Sequence, residues 1–159
     1  ISILPFGNGA ERMLENRETG CSIQGINFNQ HGKQHIIRAA QESIAYQVND
    51  LLTAMKRDTG VALSSLSVDG GASRDSFLMQ FQADISNCTI RRPVIRETTA
   101  LGACYLAGLA TGVWSSRDEL KELWRCDTLY APSMEDEKRS RLLNGWDKAV
   151  GRSLDWAEH

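Results

Sequence analysis

A regular apolar spacing over residues 34–57 constrains the fold of this chain more than any other sequence feature. Apolar side chains recur there every three or four positions, at Ile37, Ala40, Ile44, Val48, Leu51 and Met55. That spacing places them on one face of an α-helix. Asp58, Thr59 and Gly60 follow, and glycine favours the left-handed turn that ends many helices. The spacing therefore predicts a long amphipathic helix that ends near Gly60.

Strand and helix signals alternate on both sides of this helix. The first thirty residues predict two short strands joined by a loop, and residues 65–68 predict a strand that runs into a glycine turn. A second helix follows over residues 77–85, with Ser73 or Asp75 as its N-cap, and then a strand at residues 88–90. A helix rich in small residues begins near Glu97, and a last, peripheral helix covers residues 133–154. This order indicates an α/β sheet covered by helices.

Composition excludes several classes of function. The chain has 159 residues, enough for one domain with its own core, and a formal charge of −2. It therefore lacks the positive field that nucleic acid or an anionic membrane surface requires. No apolar run is long enough to span a bilayer and no targeting segment stands out, so we expect a cytoplasmic protein.

The four cysteines are widely separated and show no metal-ligand spacing, so no metal site is predicted among them. We expect reduced thiols. Cys104 lies in the small-residue helix, and we expect it to pack in the core rather than act as a nucleophile.

The sharpest local feature is the turn at residues 68–73, VDGGAS, where a strand end meets two glycines and the start of a helix. Glycines allow a ligand to approach the backbone, and the helix start supplies N–H groups. From the spacing alone, a tight turn with positive φ is the preferred interpretation, because the pattern matches neither the G-x-G-x-x-G motif nor the P-loop motif. Nucleotide binding is the alternative.

Three arginines, Arg91, Arg92 and Arg96, precede the small-residue helix. They have the chemistry to meet a phosphate or a partner carboxylate. The preferred interpretation is a solvated loop with local charge balance.

Several longer segments resemble the FGGY carbohydrate kinases, and within them the glycerol kinases. Residues 35–47, HIIRAAQESIAYQ, are similar to the second signature of that family. The segments VDGGA (68–72), FLMQFQADI (77–85), ETTALGA (97–103) and YLAGLA (105–110) resemble glycerol kinases almost residue for residue. The first 33 residues, with LPFGNGAER (4–12) and GINFN (25–29), look more like bacterial xylulose kinases of the same superfamily.

The resemblance implies a ribonuclease-H-like fold of the actin-like ATPase superfamily, with a mixed sheet flanked by helices. It implies a single C-terminal kinase domain over residues 1–159, without the N-terminal catalytic domain. The chain lacks an initiating Met and opens on a strand, as an excised fragment would. Such a fragment would be inactive alone, because the general base and phosphate loops belong to the other domain.

The resemblance also implies ligands. ATP would bind at Gly70, Gly71, Ala72 and Asp75, and Mg²⁺ would be held mainly by the absent domain. Asp75 stands where glycerol kinases carry Asn, and a carboxylate accepts hydrogen bonds but does not donate them. The substrate would be a small polyol, glycerol first and xylulose or another sugar as the alternative, and the parent enzyme would be a homo-oligomer. A non-catalytic folded module is the remaining alternative.

Overall fold

The computed structural model describes residues 1–4 and 21–154. Its strands are β1 (Ser2–Leu4), β2 (Ser22–Gln24), β3 (Ser65–Ser67), β4 (Thr89–Pro93) and β5 (Cys126–Tyr130). Its helices are α1 (Lys33–Thr59), α2 (Ser76–Ser86), α3 (Thr98–Thr111), α4 (Arg117–Leu123) and α5 (Asp136–Ser153). A 3₁₀ turn at Gly71–Arg74 precedes α2. The predicted loop between the first two strands lies outside the described residues.

The central sheet is mixed, as predicted. Strand β4 pairs in parallel with β3 and antiparallel with β5. Leu66 lies opposite Ile90, which in turn lies opposite Tyr130. Strands β1 and β2 form a separate antiparallel pair. The parallel β3–β4 pair is joined by α2, so the glycine turn follows the carboxyl end of β3.

The hydrophobic core lies between α1, α2, β4 and α5. Leu4, Ala45, Ile85 and Ile90 are almost completely buried. Helix α2 contributes more to this core than any other element, since all its residues from Leu78 to Ile85 except Gln80 are buried. The helix therefore fixes the position of the turn that precedes it.

Helix α1 confirms the predicted long helix, and it ends at Gly60 as predicted. Gly60 has a φ of 71°, and its N–H donates to the Lys56 carbonyl over 2.8 Å. The periodic apolar face, however, points away from the core. Ile37, Ala40, Ile44, Leu51 and Met55 are exposed, and Val48 is half-buried. The inward face consists of Ala39, Ser43, Ala45 and Tyr46.

Helix α3 departs from two expectations. Its small residues were expected to pack closely against another backbone, but within the described part of the chain only Gly108 of this helix is buried. The close neighbour of Gly108 is the Trp114 indole, not a backbone. Cys104, expected in the core, is exposed. The apolar residues of α3 therefore contribute little to the core described above.

Two elements were not predicted. Helix α4 begins after Ser116, whose Oγ accepts from the Glu119 N–H over 3.3 Å, while Glu119 accepts from the Ser115 N–H. This is close to a capping box, a pattern visible in the sequence. Strand β5 lies at the sheet edge and carries mainly exposed side chains, so it lacks the apolar alternation of a half-buried strand.

Helix α5 lies on the outside with one face turned inward. Trp146 on that face is buried and stacks on Tyr46, with ring centroids 5.0 Å apart. Its indole N–H donates to Asp50 Oδ2 over 2.7 Å. Burial raises the pKa of the Asp50 carboxyl, the Trp146 hydrogen bond opposes that effect, and the nearby charge of Asp147 adds to it. Burial also raises the pKa of the Tyr46 hydroxyl.

Asp50→Asn is expected to stabilise the fold at pH 7, by less than about 1 kcal/mol because solvent screens the partly exposed carboxylate. The raised folded-state pKa means that the charged form is disfavoured in the native protein. The difference from wild type should shrink as the pH falls through that raised pKa towards about 3.9, the unfolded value. Asparagine still accepts the Trp146 N–H.

Thermal unfolding between pH 7 and pH 4 measures this effect, with the exposed Asp118→Asn as a matched control. A stabilisation that grows as the pH falls would contradict the assignment.

No helix in the described ranges combines the length and the apolar character needed to cross a bilayer.

Candidate nucleotide-binding turn

The predicted site residues lie together in one turn. Strand β3 ends at Ser67, Val68 and Asp69 continue from it, and Gly70 opens the 3₁₀ turn that leads to Asp75. Gly71 and Ala72 are exposed, while Gly70 and Asp75 are half-buried. The structure thus places Gly70, Gly71, Ala72 and Asp75 between the carboxyl end of a sheet strand and the start of α2. Ligands of open α/β sheets commonly bind at such an edge.

The two glycines have different explanations. Gly70 has φ 75° and ψ −175°, a backbone region that essentially only glycine occupies. Gly71 is not among the described residues with positive φ, and a Cβ built there meets no atom within 4 Å. Neither backbone conformation nor internal packing therefore requires glycine at position 71. A molecule bound close to the backbone would favour glycine at this position.

This difference gives a direct stability test. Gly70→Ala is expected to cost about 1–3 kcal/mol, because alanine is strained in this backbone region. Gly71→Ala is expected to be neutral or to stabilise by up to about 1 kcal/mol, since it restricts the unfolded chain without strain. Urea unfolding of both variants provides the measurement. Equal losses in the two variants would show that Gly71 has a structural role.

Two backbone donors are available beside these glycines. Among residues 1–4 and 21–154, no acceptor pairs with the N–H groups of Gly71 and Ala72. Farther along the turn the N–H groups are used, since Ser73 donates to the Gly70 carbonyl over 3.3 Å and Asp75 to the Ala72 carbonyl over 3.1 Å. The exposed start of the turn thus offers two donors to a ligand.

Asp75 is the N-cap of α2. Its Oδ1 accepts from the N–H groups of Phe77 and Leu78, over 2.9 and 3.1 Å. Its Oδ2 accepts from the side-chain amide of Gln41 on α1. One carboxylate oxygen is therefore committed to the cap, whereas the other retains room for a further donor. A carboxylate at this helix start is also favoured by the helix dipole.

Neighbouring loops hold the turn in place. The Gly70 N–H donates to the Arg96 carbonyl over 3.0 Å, and the Thr98 hydroxyl donates to the Asp69 carboxylate. The buried Ser73 hydroxyl donates to the Gly70 carbonyl over 2.7 Å. These bonds connect the turn to the start of α3. The turn is therefore held by hydrogen bonds from within the protein.

The arginines near the turn are engaged by other side chains. Arg91 and Arg92 belong to β4, so the expected loop is a strand here, because this segment pairs with both neighbouring strands. Arg92 lies 3.0 Å from the Asp127 carboxylate, and Arg96 lies 3.6 Å from it. Hydrogen bonds from Thr128 and Arg92 hold the pKa of Asp127 below its ordinary value. Local charge balance, the preferred interpretation, is what this cluster shows.

Arg91 stacks instead on an aromatic ring, with its guanidinium carbon 4.4 Å from the centroid of Trp124. No group of three or more His, Cys, Asp or Glu side chains in the described ranges has the arrangement to hold a metal ion.

Sequence reasoning missed the groups that support the turn. Gln41 reaches Asp75 from α1, and Thr98 reaches Asp69 from α3. Both contacts join positions about thirty residues apart, so no local sequence pattern indicates them. They depend on how α1 and α3 lie against the turn.

Comparison with known proteins identifies the family to which the chain belongs. The model of the FGGY family of carbohydrate kinases, C-terminal domain, matches residues 2–111. The match includes the first segment as well as the glycine turn, so both parts of the chain fit one domain type. The chain is 57% identical over 126 residues to a glycerol kinase of Caldanaerobacter subterraneus subsp. tengcongensis, covering 79% of the chain and 25% of that protein. A glycerol kinase of Clostridium botulinum (strain Alaska E43) is 60% identical over the same shares.

Solved structures show the same fold. A Plasmodium falciparum glycerol kinase crystallised with ADP matches 98% of this chain and 31% of its own, at 35% identity and a TM-score of 0.84. A xylulose kinase of Rhodospirillum rubrum matches 95% of this chain and 30% of its own, at 20% identity and a TM-score of 0.71. These matches confirm the predicted ribonuclease-H-like fold. The chain spans about a quarter of the length of the curated relatives it matches.

Proposed function

Because the chain belongs to the FGGY family of carbohydrate kinases, as a C-terminal domain, we propose that it forms the nucleotide-binding part of an ATP-dependent glycerol kinase. The reaction would transfer the γ-phosphoryl group of ATP to glycerol and release ADP and glycerol 3-phosphate. Glycerol is preferred over xylulose because the glycerol kinases share 57% and 60% identity with the chain, whereas the xylulose kinase structure shares 20%. At 20% identity, the similarity to the xylulose kinase structure supports only a shared fold.

The observation that carries this proposal is the exposed glycine turn between the carboxyl end of β3 and the start of α2, with Gly71 at its centre. The position is exposed, requires no positive φ and faces no other atom within 4 Å. Adenosine lying against Gly70, Gly71 and Ala72 would account for it, because any side chain at 71 would occupy that space. The free N–H groups of Gly71 and Ala72 would donate to the nucleotide, and the side chain of residue 75 would lie beside it.

The described residues supply only one side of the proposed cleft. Mg²⁺ would accompany the nucleotide phosphates, but no metal-binding cluster is present among these residues, so we assign no step of phosphoryl transfer to them. The 159-residue chain is expected to bind nucleotide without phosphorylating glycerol. We place the protein in the cytoplasm, because its three exposed cysteines are free thiols.

The identity of residue 75 provides the test of the proposed nucleotide contact. Asp75→Asn is expected to tighten Mg-ADP binding by about three- to tenfold, because the amide removes a negative charge and adds a donor. The helix should be unaffected, since Asn and Asp are equally good N-caps. Gln41 is expected to rotate its amide so that the pair stays bonded.

Isothermal titration calorimetry with Mg-ADP measures this change. Asp118→Asn, which removes the same charge at a side chain that is 83% exposed on α4, is the matched control and should leave affinity unchanged. Equal effects of the two substitutions would assign the change to net charge and contradict a contact at residue 75.

A further inference from the structure

A polar cavity lies near the end of α1, away from the glycine turn. Its volume is about 330 Å³, at the small end of the range of ligand pockets. The second half of α1 with the loop after it, the end of α2 and the first half of α5 surround it. Gln41, which contacts the turn, and Lys56, which lines the cavity, are about 22 Å apart along α1. The cavity is therefore separate from the candidate nucleotide-binding turn.

The lining of this cavity combines apolar surface with hydrogen-bonding groups. Leu52, Ile85 and Leu143 supply the apolar surface. The Ser86 hydroxyl accepts from the Gln82 side-chain amide and can still donate its own hydrogen to a ligand. Further polar side chains in the lining are those of Asn49, Thr53 and Asn87. Such a lining suits a small molecule with an apolar body and a polar group.

The charged groups of the lining are all positive. Lys56 and Arg139 line the cavity, and no carboxylate does so among residues 1–4 and 21–154. Lys56 has no ion pair in these ranges, whereas Arg139 Nη2 donates to the Asp136 carboxylate over 2.9 Å. Arg139 Nε is buried without an acceptor in the described structure. Burial raises the pKa of the Cys88 thiol, which also lines the cavity and therefore stays neutral at pH 7.

The helix dipoles do not account for both cations. Lys56 and Arg57 lie in the last turn of α1, where a positive charge is favourable. Arg139 lies in the first turn of α5, where the partial positive charge of the helix start disfavours a cation. The Ala83 carbonyl near the end of α2 would repel an anion, but it already accepts from the Asn87 N–H. A bound anion would favour a cation at the position of Arg139.

We propose that this cavity binds a small phosphate monoester. The phosphate would contact Lys56 and Arg139, and the organic part would lie against Leu52, Ile85 and Leu143. Phosphate suits this site because its charged oxygens can accept hydrogen bonds from both cations and from neighbouring hydroxyl and amide groups at once. The site contains none of the residues assigned to the nucleotide, so it does not depend on the function proposed above.

A titration of the ¹⁵N-labelled chain with phenyl phosphate, at constant ionic strength, tests the proposal. Amide shifts are expected at Thr53, Ser86 and Asn87, with a Kd of about 0.1–10 mM, while residues 69–76 stay in place. Inorganic phosphate lacks the organic part and should bind about three- to tenfold more weakly, because it buries no apolar surface.

Single substitutions test the two cations. Lys56→Gln and Arg139→Gln should each weaken the binding of phenyl phosphate by about tenfold, because each removes a charge-assisted hydrogen bond. Arg57→Gln is the matched control: Arg57 lies in the same turn of α1, its side chain is 81% exposed, and it does not line the cavity. This control removes the same charge and should leave the affinity unchanged.

Circular dichroism confirms that each variant is folded, and the exposed Lys56 decides the test if Arg139→Gln does not fold. The absence of shifts at the cavity amides up to about 50 mM phenyl phosphate would overturn the proposal. Equal losses in Lys56→Gln and Arg57→Gln would assign the effect to net charge and overturn it as well. Equal affinities for inorganic phosphate and phenyl phosphate would contradict a monoester site, and shifts confined to residues 69–76 would place the ligand at the glycine turn instead.

Discussion

Trp146→Ala is expected to lower the free energy of unfolding by about 3–5 kcal/mol. Trp146 is 3% exposed and connects α5 to α1 through its stacking on Tyr46. Its removal leaves a cavity beside Tyr46 and deprives the partly buried Asp50 of its hydrogen-bond donor. Both effects destabilise the native state.

Thermal unfolding should show a midpoint lower by roughly 10–15 °C for a domain of this size. Trp124→Ala is the matched control, because Trp124 is 36% exposed and its ring lies against the Arg91 guanidinium at the surface. The control should lose less than about 1 kcal/mol. Similar losses for the two tryptophans would show that α5 is not part of the cooperative core.

Gly71→Trp is expected to abolish measurable Mg-ADP binding while leaving the fold intact. The backbone at this position suits any residue, and the space around it is open, so the indole has room to settle where adenosine would lie. Binding would then be lost by occlusion rather than by unfolding. Calorimetric titration supplies the affinity, and circular dichroism the folded state.

Gly145→Trp is the control for the mere presence of an added indole. Gly145 is exposed on α5, and a Cβ there also meets no atom within 4 Å. This variant should bind Mg-ADP as the wild type does. Unchanged affinity in Gly71→Trp would exclude the glycine turn as the nucleotide contact.

The sequence allowed much of the local structure to be predicted. Helix α1 could be predicted because apolar residues recur at helical spacing over a long segment and Gly60 marks the end of the helix. The glycine turn was visible because a strand, two glycines and a cap residue follow one another within eight positions. Local signals of this kind require no knowledge of the remaining chain.

The sequence did not indicate which face of each helix points toward the core. The inward face of α1 consists mainly of small or polar side chains and Tyr46, while the regular apolar residues face outward. Periodicity identifies a stripe but not the surface it meets. The same limit applies to α3, whose apolar residues and Cys104 are exposed although their composition indicates burial.

The candidate site was accessible only in part. The glycines could be located, but the role of Asp75 as the cap of α2 and its bond to Gln41 depend on tertiary packing. Spacing alone favoured an ordinary turn with positive φ. The structure distinguishes the two glycines, because Gly70 has a positive φ whereas Gly71 does not.

Nucleotide binding at the glycine turn is tested by a titration of the ¹⁵N-labelled chain with Mg-ADP, followed by amide NMR shifts. This method reports residue by residue and detects the millimolar affinity expected of one side of a cleft. The largest shifts are expected at the amides of Gly71, Ala72 and Asp75, with Gly145 unmoved. Saturating Mg-ADP that shifts amides elsewhere, or none at all, while residues 69–76 stay in place would contradict nucleotide binding at this turn.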